Sequence, residues 1–177
     1  LMESLNLPDH ISAASNAKSS IGRLDLLTRV ITDNGIEFDR INNGYNGPLY
    51  AEICPRSFSV LVKPKQRLNQ IRFRIGQAII SDADLTTMHL KDPLVNGNAL
   101  IDDGLGFSVD LKPKENNLVG YVAKPHTDII DLEKINYYNP NDFWQSLEAS
   151  SGKIILDPGA FYILVSQEAV NIPSYCA

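Results

Sequence analysis

The sequence has 177 residues, long enough to bury a core as one domain or as two small ones. Its apolar content of 44% and charged content of 21% are typical of a folded protein, and its net charge of −5 argues against a general nucleic-acid or membrane-surface binder. The sequence contains no membrane span or signal peptide, and Cys54 and Cys176 form no disulfide framework, so we expect a reducing, cytoplasmic location.

The first predicted element follows a polar stretch, "SNAKSSIGRLDLL" at residues 15–27. A side-chain cap from Ser19 or Ser20 would satisfy the first free amides of a helix, which predicts a short helix after Ser19. Three leucines would then face a core, namely Leu24, Leu26 and Leu27. The same hydroxyls, together with Lys18 and Arg23, also suit a phosphate, so a helix cap and an anion site both stay open at this point.

Most of the remaining chain reads as short strands. Runs rich in Val, Ile, Leu and Tyr are broken by Gly, Pro and Asn, a spacing typical of an all-β barrel or sandwich. The predicted strands are "PLYAEI" (48–53), "FSVLVKP" (58–64), "QIRFRI" (70–75), "GFSVDLKP" (106–113), "NNLVGYVAK" (116–124), "KIILDPG" (153–159) and "AFYILVSQ" (160–167). A second helix is expected over "NDFWQSLEAS" at 141–150, with Asn141 or Asp142 as its cap and an end near Gly152.

One segment is strongly basic in this acidic chain. Between Glu52 and Asp82 there is no carboxylate, but there are six cations: Arg56, Lys63, Lys65, Arg67, Arg72 and Arg74. Such a segment either binds a small polyanion locally or forms the solvated face of a strand.

The two ends of the chain repeat each other. "MESLNLP" at 2–8 matches "QEAVNIP" at 167–173 at one constant offset. The identities are Glu3 with Glu168, Asn6 with Asn171, and Pro8 with Pro173. A tandem repeat would then place the back half of one unit in residues 1–76 and the front half of the next in 77–177. Because the chain begins with Leu1, we expect it to be part of a longer protein.

Four motifs occur in a fixed order: "KSSIGR" (18–23), "INNGYNG" (41–47), "LYAEI" (49–53) and "VKPKQRLNQIRF" (62–73). This series resembles the dCTP deaminase and dUTPase superfamily, with its Ser-Ser loop, its turn ending in aromatic-x-Gly and, in the deaminases, its glutamate strand. "FSVDLK" and "ILDPGAFYILVSQEAVNIP" are similar to earlier strands of the same unit. The resemblance is closest to long bacterial dCTP deaminases with two fused units. It implies an all-β fold, a distorted β-barrel of the dUTPase-like (β-clip) type with one or two short helices.

The resemblance also implies a chemistry. Deamination at cytosine C4 needs an attacking water and a group that moves its proton to the ring nitrogen and the departing amine. Zinc deaminases carry H-x-E and P-C-x-x-C motifs, which this sequence lacks, so we do not expect zinc. A metal-free route needs a carboxylate that accepts and returns a proton, and the resemblance indicates Glu52 rather than a plain surface glutamate. It further implies that Ser19 helps to hold the water and that Arg23 orients Glu52 and the reacting centre.

Other residues are expected to bind the substrate. The resemblance implies that Lys18 and Ser20 bind the triphosphate, with lysine giving a point-charge contact where arginine is frequent. Tyr45 either packs on the deoxyribose or fills the core, and Gln70 either lies near the sugar or forms a cross-strand hydrogen bond. Arg40 is a weaker candidate for phosphate binding.

We also expect Asn42 to contact the substrate. The residue type at this position distinguishes deaminase from dUTP diphosphatase activity. In dUTPases the corresponding position of the turn motif is an aspartate that activates the water attacking the phosphate. Because an amide cannot accept that proton, Asn42 disfavours dUTP diphosphatase activity.

We therefore expect deamination of dCTP to dUTP and ammonia, with Mg²⁺ carried by the substrate triphosphate. The alternatives are a dUTP diphosphatase, a bifunctional enzyme, or a catalytically silent β-domain that binds nucleotide or serves assembly. Nucleic acid and membrane are not expected partners, and the resemblance implies a homotrimer or a trimer-like packing of units, with sites between neighbouring barrels.

Overall fold

The computed structural model describes residues 1–76, 79–112, 117–149 and 151–176. Eleven strands and three short helices lie in this part of the chain, which confirms the all-β prediction. The strands are β1 (Ser4–Asn6), β2 (Ile11–Ala17), β3 (Leu26–Thr32), β4 (Arg40–Ile41), β5 (Asn46–Pro55), β6 (Val60–Leu61), β7 (Asn69–Ile75), β8 (Leu118–Ala123), β9 (Ile130–Asp131), β10 (Trp144–Glu148) and β11 (Tyr162–Leu164). The helices are α1 (Ser19–Gly22), α2 (Asp82–Lys91) and α3 (Pro140–Phe143), and a 3₁₀ turn covers Ser174–Cys176. Among the helices in these ranges, none has the length and apolar composition that a membrane crossing requires.

The long strand β5 organises the sheet that carries the glutamate motif, in the order β1-β5-β3. Its first residues pair with β1, and the stretch from Leu49 to Pro55 pairs antiparallel with β3. Along β3, alternate residues are buried, because successive side chains of a strand face opposite sides of the sheet. The buried residues are Leu26, Thr28, Val30 and Thr32.

A second three-stranded sheet has the order β4-β2-β7, with all of β2 paired antiparallel to β7. Residues of both sheets form one apolar core: Ala13, Val30, Ile41 and Leu49. The other strands form a sheet of order β10-β8-β11 and a parallel pair, β6-β9.

The chain contacts divide it into two compact units. The first unit comprises Leu1–Ala78, Val122–Gln145 and Pro158–Phe161. Its aromatic core centres on Phe58, whose ring meets those of Phe143 and Trp144 edge-on at 5.9 and 5.3 Å.

The second unit comprises Ile79–Tyr121, Ser146–Asp157 and Tyr162–Ala177. Its buried residues include Leu94, Val95 and Val119, and Val95 forms an antiparallel bridge with Val170. The assignment of 1–76 and 77–177 to halves of two successive repeat units stays a prediction.

The predicted helix after Ser19 is shorter than expected. It ends at Gly22, its N-cap is Lys18, and no side chain caps it, so the predicted serine cap is wrong. Leu26 is buried as predicted, but in strand β3, and Leu27 is 39% exposed. The β-branched residues that follow Leu27 favour an extended chain, and pairing with β5 satisfies their backbone.

The helix predicted over 141–150 is also mostly wrong. Asn139 caps a single turn, α3, by accepting from the amide of Asn141, and the chain then continues as strand β10. The sequence reading instead missed α2, although Ser81 and Asp84 form a capping pair: the Ser81 Oγ accepts from the Asp84 amide at 3.2 Å. This helix buries no residue, so it lacks the apolar periodicity by which helices are recognised.

Two predicted strands are mostly replaced by irregular chain. Within 106–113, of which 113 lies outside the described residues, strand pairing is limited to an antiparallel bridge between Val109 and Ser166, and the amide of Ser108 bonds to the Glu168 carboxylate at 2.8 Å. Within 153–159, the Asp157 amide bonds to the Tyr162 hydroxyl at 3.0 Å. In both places a side chain takes a backbone donor that a ladder needs. The strand predicted over 58–64 shortens to β6.

The repeated ends have similar local conformations. Leu5 pairs antiparallel in β1 with Gly47, and its counterpart Val170 forms an antiparallel bridge. The carbonyl of Pro8 accepts from the amide three residues later at 3.0 Å, and that of Pro173 does so at 2.9 Å. Each segment thus has an antiparallel pairing at its central apolar residue and a turn led by proline, as the repeat predicts.

Gly120 in β8 is a position where a side chain does not fit. An added Cβ would clash with the carbonyl oxygen of Ile163, a backbone atom that cannot rotate away. We expect Gly120→Ala to lower the free energy of unfolding by about 1–3 kcal/mol, measured by chemical denaturation. The control is Gly22→Ala, where a Cβ meets nothing within 4 Å. Equal stability of the two variants would contradict this close approach.

Candidate active site

One apolar residue of the "KSSIGR" loop is buried and anchors the loop to the core. Ile21 is 5% exposed and packs with Leu26 and Leu68 in a small core. The neighbouring Ser19 and Ser20 are exposed on the other side of the turn. The sequence thus places one buried residue inside a polar loop, which presents both hydroxyls to solvent.

A cavity of about 720 Å³ lies beside this loop within the first unit. Two of the predicted phosphate ligands, Lys18 and Ser20, line it. Three further cations line it as well: Lys65, Arg67 and Lys134. In the described ranges none of these four cations forms an ion pair, so the cavity concentrates positive charge. One carboxylate, Asp131, also lines it, and much of the remaining wall is apolar, with Ile21, Leu24, Ile130, Leu132 and Ile135.

An ion-pair cluster connects the two chain segments around Lys65 and Asp131, which both line this cavity. Lys63 donates to Asp131 at 3.2 Å and to Glu133 at 2.5 Å. The two carboxylates raise the pKa of Lys63, with the bond to Glu133 as the larger cause. The amide of Glu133 and the ammonium of Lys63 lower the pKa of Asp131, so both partners stay charged at neutral pH.

The cations of the basic segment between Glu52 and Asp82 therefore have different surroundings. Lys63 is neutralised by carboxylates, while Lys65 and Arg67 line the cavity. Arg72 and Arg74 are exposed on β7, as expected of a solvated strand face.

The "INNGYNG" turn is stabilised by its tyrosine. The Tyr45 hydroxyl accepts from the amide of Asp33 at 3.2 Å and donates to the carbonyl of Pro48. Its ring packs against the core of the first unit. These contacts favour the core role of Tyr45 that the sequence left open, and contact with a deoxyribose stays a prediction.

Three other candidates lie away from the basic cavity. Arg40 pairs with Glu37 at 3.0 Å, and Arg40 and exposed Asn42 line a separate cavity of about 180 Å³. Gln70 is exposed on β7, opposite Asn16 of β2. The structure does not join these residues to Lys18 and Ser20.

Glu52 lies in the middle of β5, directly opposite Arg29 of β3. The Arg29 Nη2 donates to the Glu52 Oε1 at 2.7 Å. Arg23 instead folds back on its own loop, where its Nε donates to the Ser19 carbonyl at 3.3 Å. The guanidinium that contacts Glu52 within this chain is thus that of Arg29, and the expected orientation of Glu52 by Arg23 stays a prediction.

Strand register explains why Arg29 contacts Glu52. Arg29 and Glu52 face each other on adjacent strands, where opposite charges meet directly, whereas Arg23 lies in the turn after α1. Among the hydrogen bonds of the described residues, none joins Glu52 to the "KSSIGR" loop. Sequence reasoning missed Arg29 because strand pairing between β3 and β5 was not predicted.

The described ranges hold no group of three or more His, Cys, Asp and Glu residues arranged to hold a metal ion. The cysteines Cys54 and Cys176 are both free thiols.

Comparison with known proteins agrees with this architecture. The family model described as the 2'-deoxycytidine 5'-triphosphate deaminase (DCD) N-terminal domain matches residues 1–77, and that of the DCD C-terminal domain matches 81–177. A crystal structure of 2'-deoxycytidine 5'-triphosphate deaminase from Agrobacterium tumefaciens is 48% identical, with a TM-score of 0.91. The match covers 97% of this chain and 51% of that one, so this chain spans about half the length of the solved relative. No curated protein matches.

The strands, the Ser-Ser loop and the glutamate strand belong to the dUTPase-like fold, which confirms the predicted fold type. The two matched family domains together cover almost the whole sequence. The chain belongs to the 2'-deoxycytidine 5'-triphosphate deaminase family.

Proposed function

We propose that the protein containing this chain converts dCTP and water to dUTP and ammonia. The observation that carries the proposal is Glu52, which is partly exposed on its strand with its carboxylate held by a guanidinium. Family membership supports the same reaction, since the solved relative is a 2'-deoxycytidine 5'-triphosphate deaminase.

In the proposed mechanism Glu52 is the general base and then the general acid. It takes a proton from water as the water oxygen bonds to cytosine C4, and it passes that proton to the ring nitrogen N3. A second proton from the added hydroxyl then reaches the amino group through Glu52, and the C4–N4 bond breaks to release ammonia. Ser19 holds the attacking water by a hydrogen bond, and no metal takes part in water activation.

The basic cavity supplies the proposed site for the triphosphate. Lys18 and Ser20 provide a cation and a hydroxyl, and Lys65, Arg67 and Lys134 add positive charge around the same space. Such an arrangement favours a polyanion because charge-assisted hydrogen bonds to phosphate oxygens are strong. Mg²⁺ enters with the substrate, bound to phosphate oxygens, which it prefers as ligands.

We further propose that the working site forms between neighbouring copies or units, in a trimer-like packing. The support is that Glu52 bonds to Arg29, while Ser19 and Arg23 contact their own loop. Ser19 and Arg23 then act on a reacting centre whose base comes from a neighbour.

The free state of Cys54 and Cys176 supports a reducing, cytoplasmic location.

One assay separates the candidate functions. The full-length protein is incubated with dCTP and with dUTP separately, and dCTP, dUTP and dUMP are resolved by chromatography. We expect dUTP from dCTP, and no dUMP from dUTP, because Asn42 replaces the aspartate that activates water in dUTPases. Formation of dUMP would show a diphosphatase or a bifunctional enzyme, and no product from either nucleotide would contradict the proposal.

Lys18→Ala tests the triphosphate site. We expect the KM for dCTP to rise about tenfold at low salt and about threefold at high salt, because ions screen an exposed charge. Steady-state kinetics at two ionic strengths measure this difference. The control is Lys91→Ala, which removes an exposed charge at the end of α2. A loss in Lys18→Ala that is independent of salt would instead indicate misfolding.

A further inference from the structure

Arg29 has three features that a solvated strand residue does not need. Its Nη2 donates to the Glu52 carboxylate at 2.7 Å. Its Cζ lies 3.8 Å from the ring centroid of Phe38, so the guanidinium is covered on one face by an aromatic ring. Its Nε is buried and makes no hydrogen bond to a described residue. The Arg29 guanidinium is thus fixed in orientation, at the expense of one of its donors.

The chain holds Phe38 in place over Arg29. The next residue, Asp39, binds β3 twice: its amide donates to the Val30 carbonyl at 2.9 Å, and its carboxylate accepts from the Val30 amide at 2.8 Å. The Asp39 carbonyl also accepts from the Ser15 amide at 2.8 Å. These contacts anchor the backbone at the end of the loop that carries Phe38, next to the strand that carries Arg29.

This arrangement is poorly explained as a contribution to folding. The side chains of Arg29 and Glu52 are 33% and 41% exposed, and ion pairs this accessible to water contribute little to stability. A buried donor without a partner is unfavourable as well. What the arrangement does achieve is a single direction for the Glu52 carboxylate, with one oxygen, Oε1, engaged by Arg29.

We propose that Arg29 is a positioning residue that holds Glu52 in its catalytic orientation, with Phe38 fixing the guanidinium from its other face. This inference rests on the deaminase function proposed above. Arg29 binds one carboxylate oxygen and leaves Oε2 for the water and for proton transfer to cytosine. Neither the family motifs nor the expected Arg23 contact assigns this role to Arg29.

The test is Arg29→Gln in the full-length protein, with dCTP as the substrate. We expect kcat to fall about 10²-fold while KM changes less than about threefold, since a misplaced catalytic group slows chemistry without weakening phosphate contacts. Guanidinium ion, added below the concentration that unfolds the protein, should restore part of kcat. Arg29→Lys should retain more activity than Arg29→Gln but less than wild type, because an ammonium lacks the planar fork.

Phe38→Leu gives a second, milder variant that keeps the charge. We expect a smaller fall in kcat, about three- to tenfold, because leucine provides no cation–π contact. The matched control is Arg72→Gln, an exposed arginine on β7 that should leave kcat unchanged.

The activities of the wild type and of these variants distinguish the role of Arg29 from the deaminase proposal. An active wild type with unchanged kcat in Arg29→Gln overturns the role of Arg29 and leaves the deaminase proposal intact, whereas an inactive wild type overturns both. If Arg29→Gln does not fold, Arg29→Lys and Phe38→Leu decide, and wild-type kcat in both would overturn the proposal. A fall in kcat that guanidinium restores would support it.

Discussion

We expect Glu52→Gln to abolish measurable deamination in the full-length protein while dCTP binding stays within about tenfold of wild type. Glutamine fills the same volume and can still accept a hydrogen bond from Arg29, so the fold and the strand pairing are retained. It cannot accept and return a proton. General acid–base groups contribute about 10²–10⁴-fold in rate, and we expect the upper end or beyond because Glu52 serves as base and acid with no metal to share the work.

The measurement combines single-turnover kinetics with equilibrium binding of dCTP, so that chemistry and binding are separated. The control is Glu148→Gln on β10, which removes an exposed strand carboxylate elsewhere. If Glu52→Gln keeps more than about a tenth of the wild-type rate, the loss falls below the range of general acid–base catalysis and the base must lie elsewhere, for example beyond Ala177.

The second large effect is expected for Ser19→Ala, with kcat about 10²-fold below wild type, a loss smaller than that of Glu52→Gln. Ser19 is exposed at the start of α1, and its side chain makes no capping bond to this helix, so its hydroxyl is available to a water. A positioned water can be held partly by backbone groups, so activity falls without vanishing.

The matched variant is Ser20→Ala in the same turn. Because Ser20 lines the basic cavity, its loss should raise the KM for dCTP and leave kcat nearly unchanged. Measuring both parameters for both variants separates a water-holding hydroxyl from a phosphate-binding one. Equal kcat values for the two variants would contradict the division of roles between Ser19 and Ser20.

Several properties follow from the sequence alone because their causes are local. Short β-rich runs separated by turn residues predict strands: β6, β8 and β11 lie within predicted segments, and β5 and β7 contain the segments predicted for them. The motif order around "KSSIGR" and "LYAEI" predicts the family, which the family models confirm. The repeated ends predict similar local backbone, as the two proline-led turns show.

Other features depend on which segments meet, and local patterns do not contain that information. Leu26 to Thr32 form a strand and not a helix because β5 supplies their hydrogen-bond partners. The helix expected over 141–150 gives way to β10, which pairs with β8. Neither segment would form a strand in isolation, because a strand is stabilised by the strands with which it pairs.

The candidate site shows the same division. The resemblance of contiguous motifs to the family identified Glu52 and Ser19 as catalytic candidates and Lys18 and Ser20 as candidates for phosphate binding. The partner of Glu52 is 23 residues away along the chain, and only the register of β3 against β5 places Arg29 opposite it. Likewise, Lys134 joins Lys18 at one cavity because tertiary packing brings distant cations together, which no sequence spacing specifies.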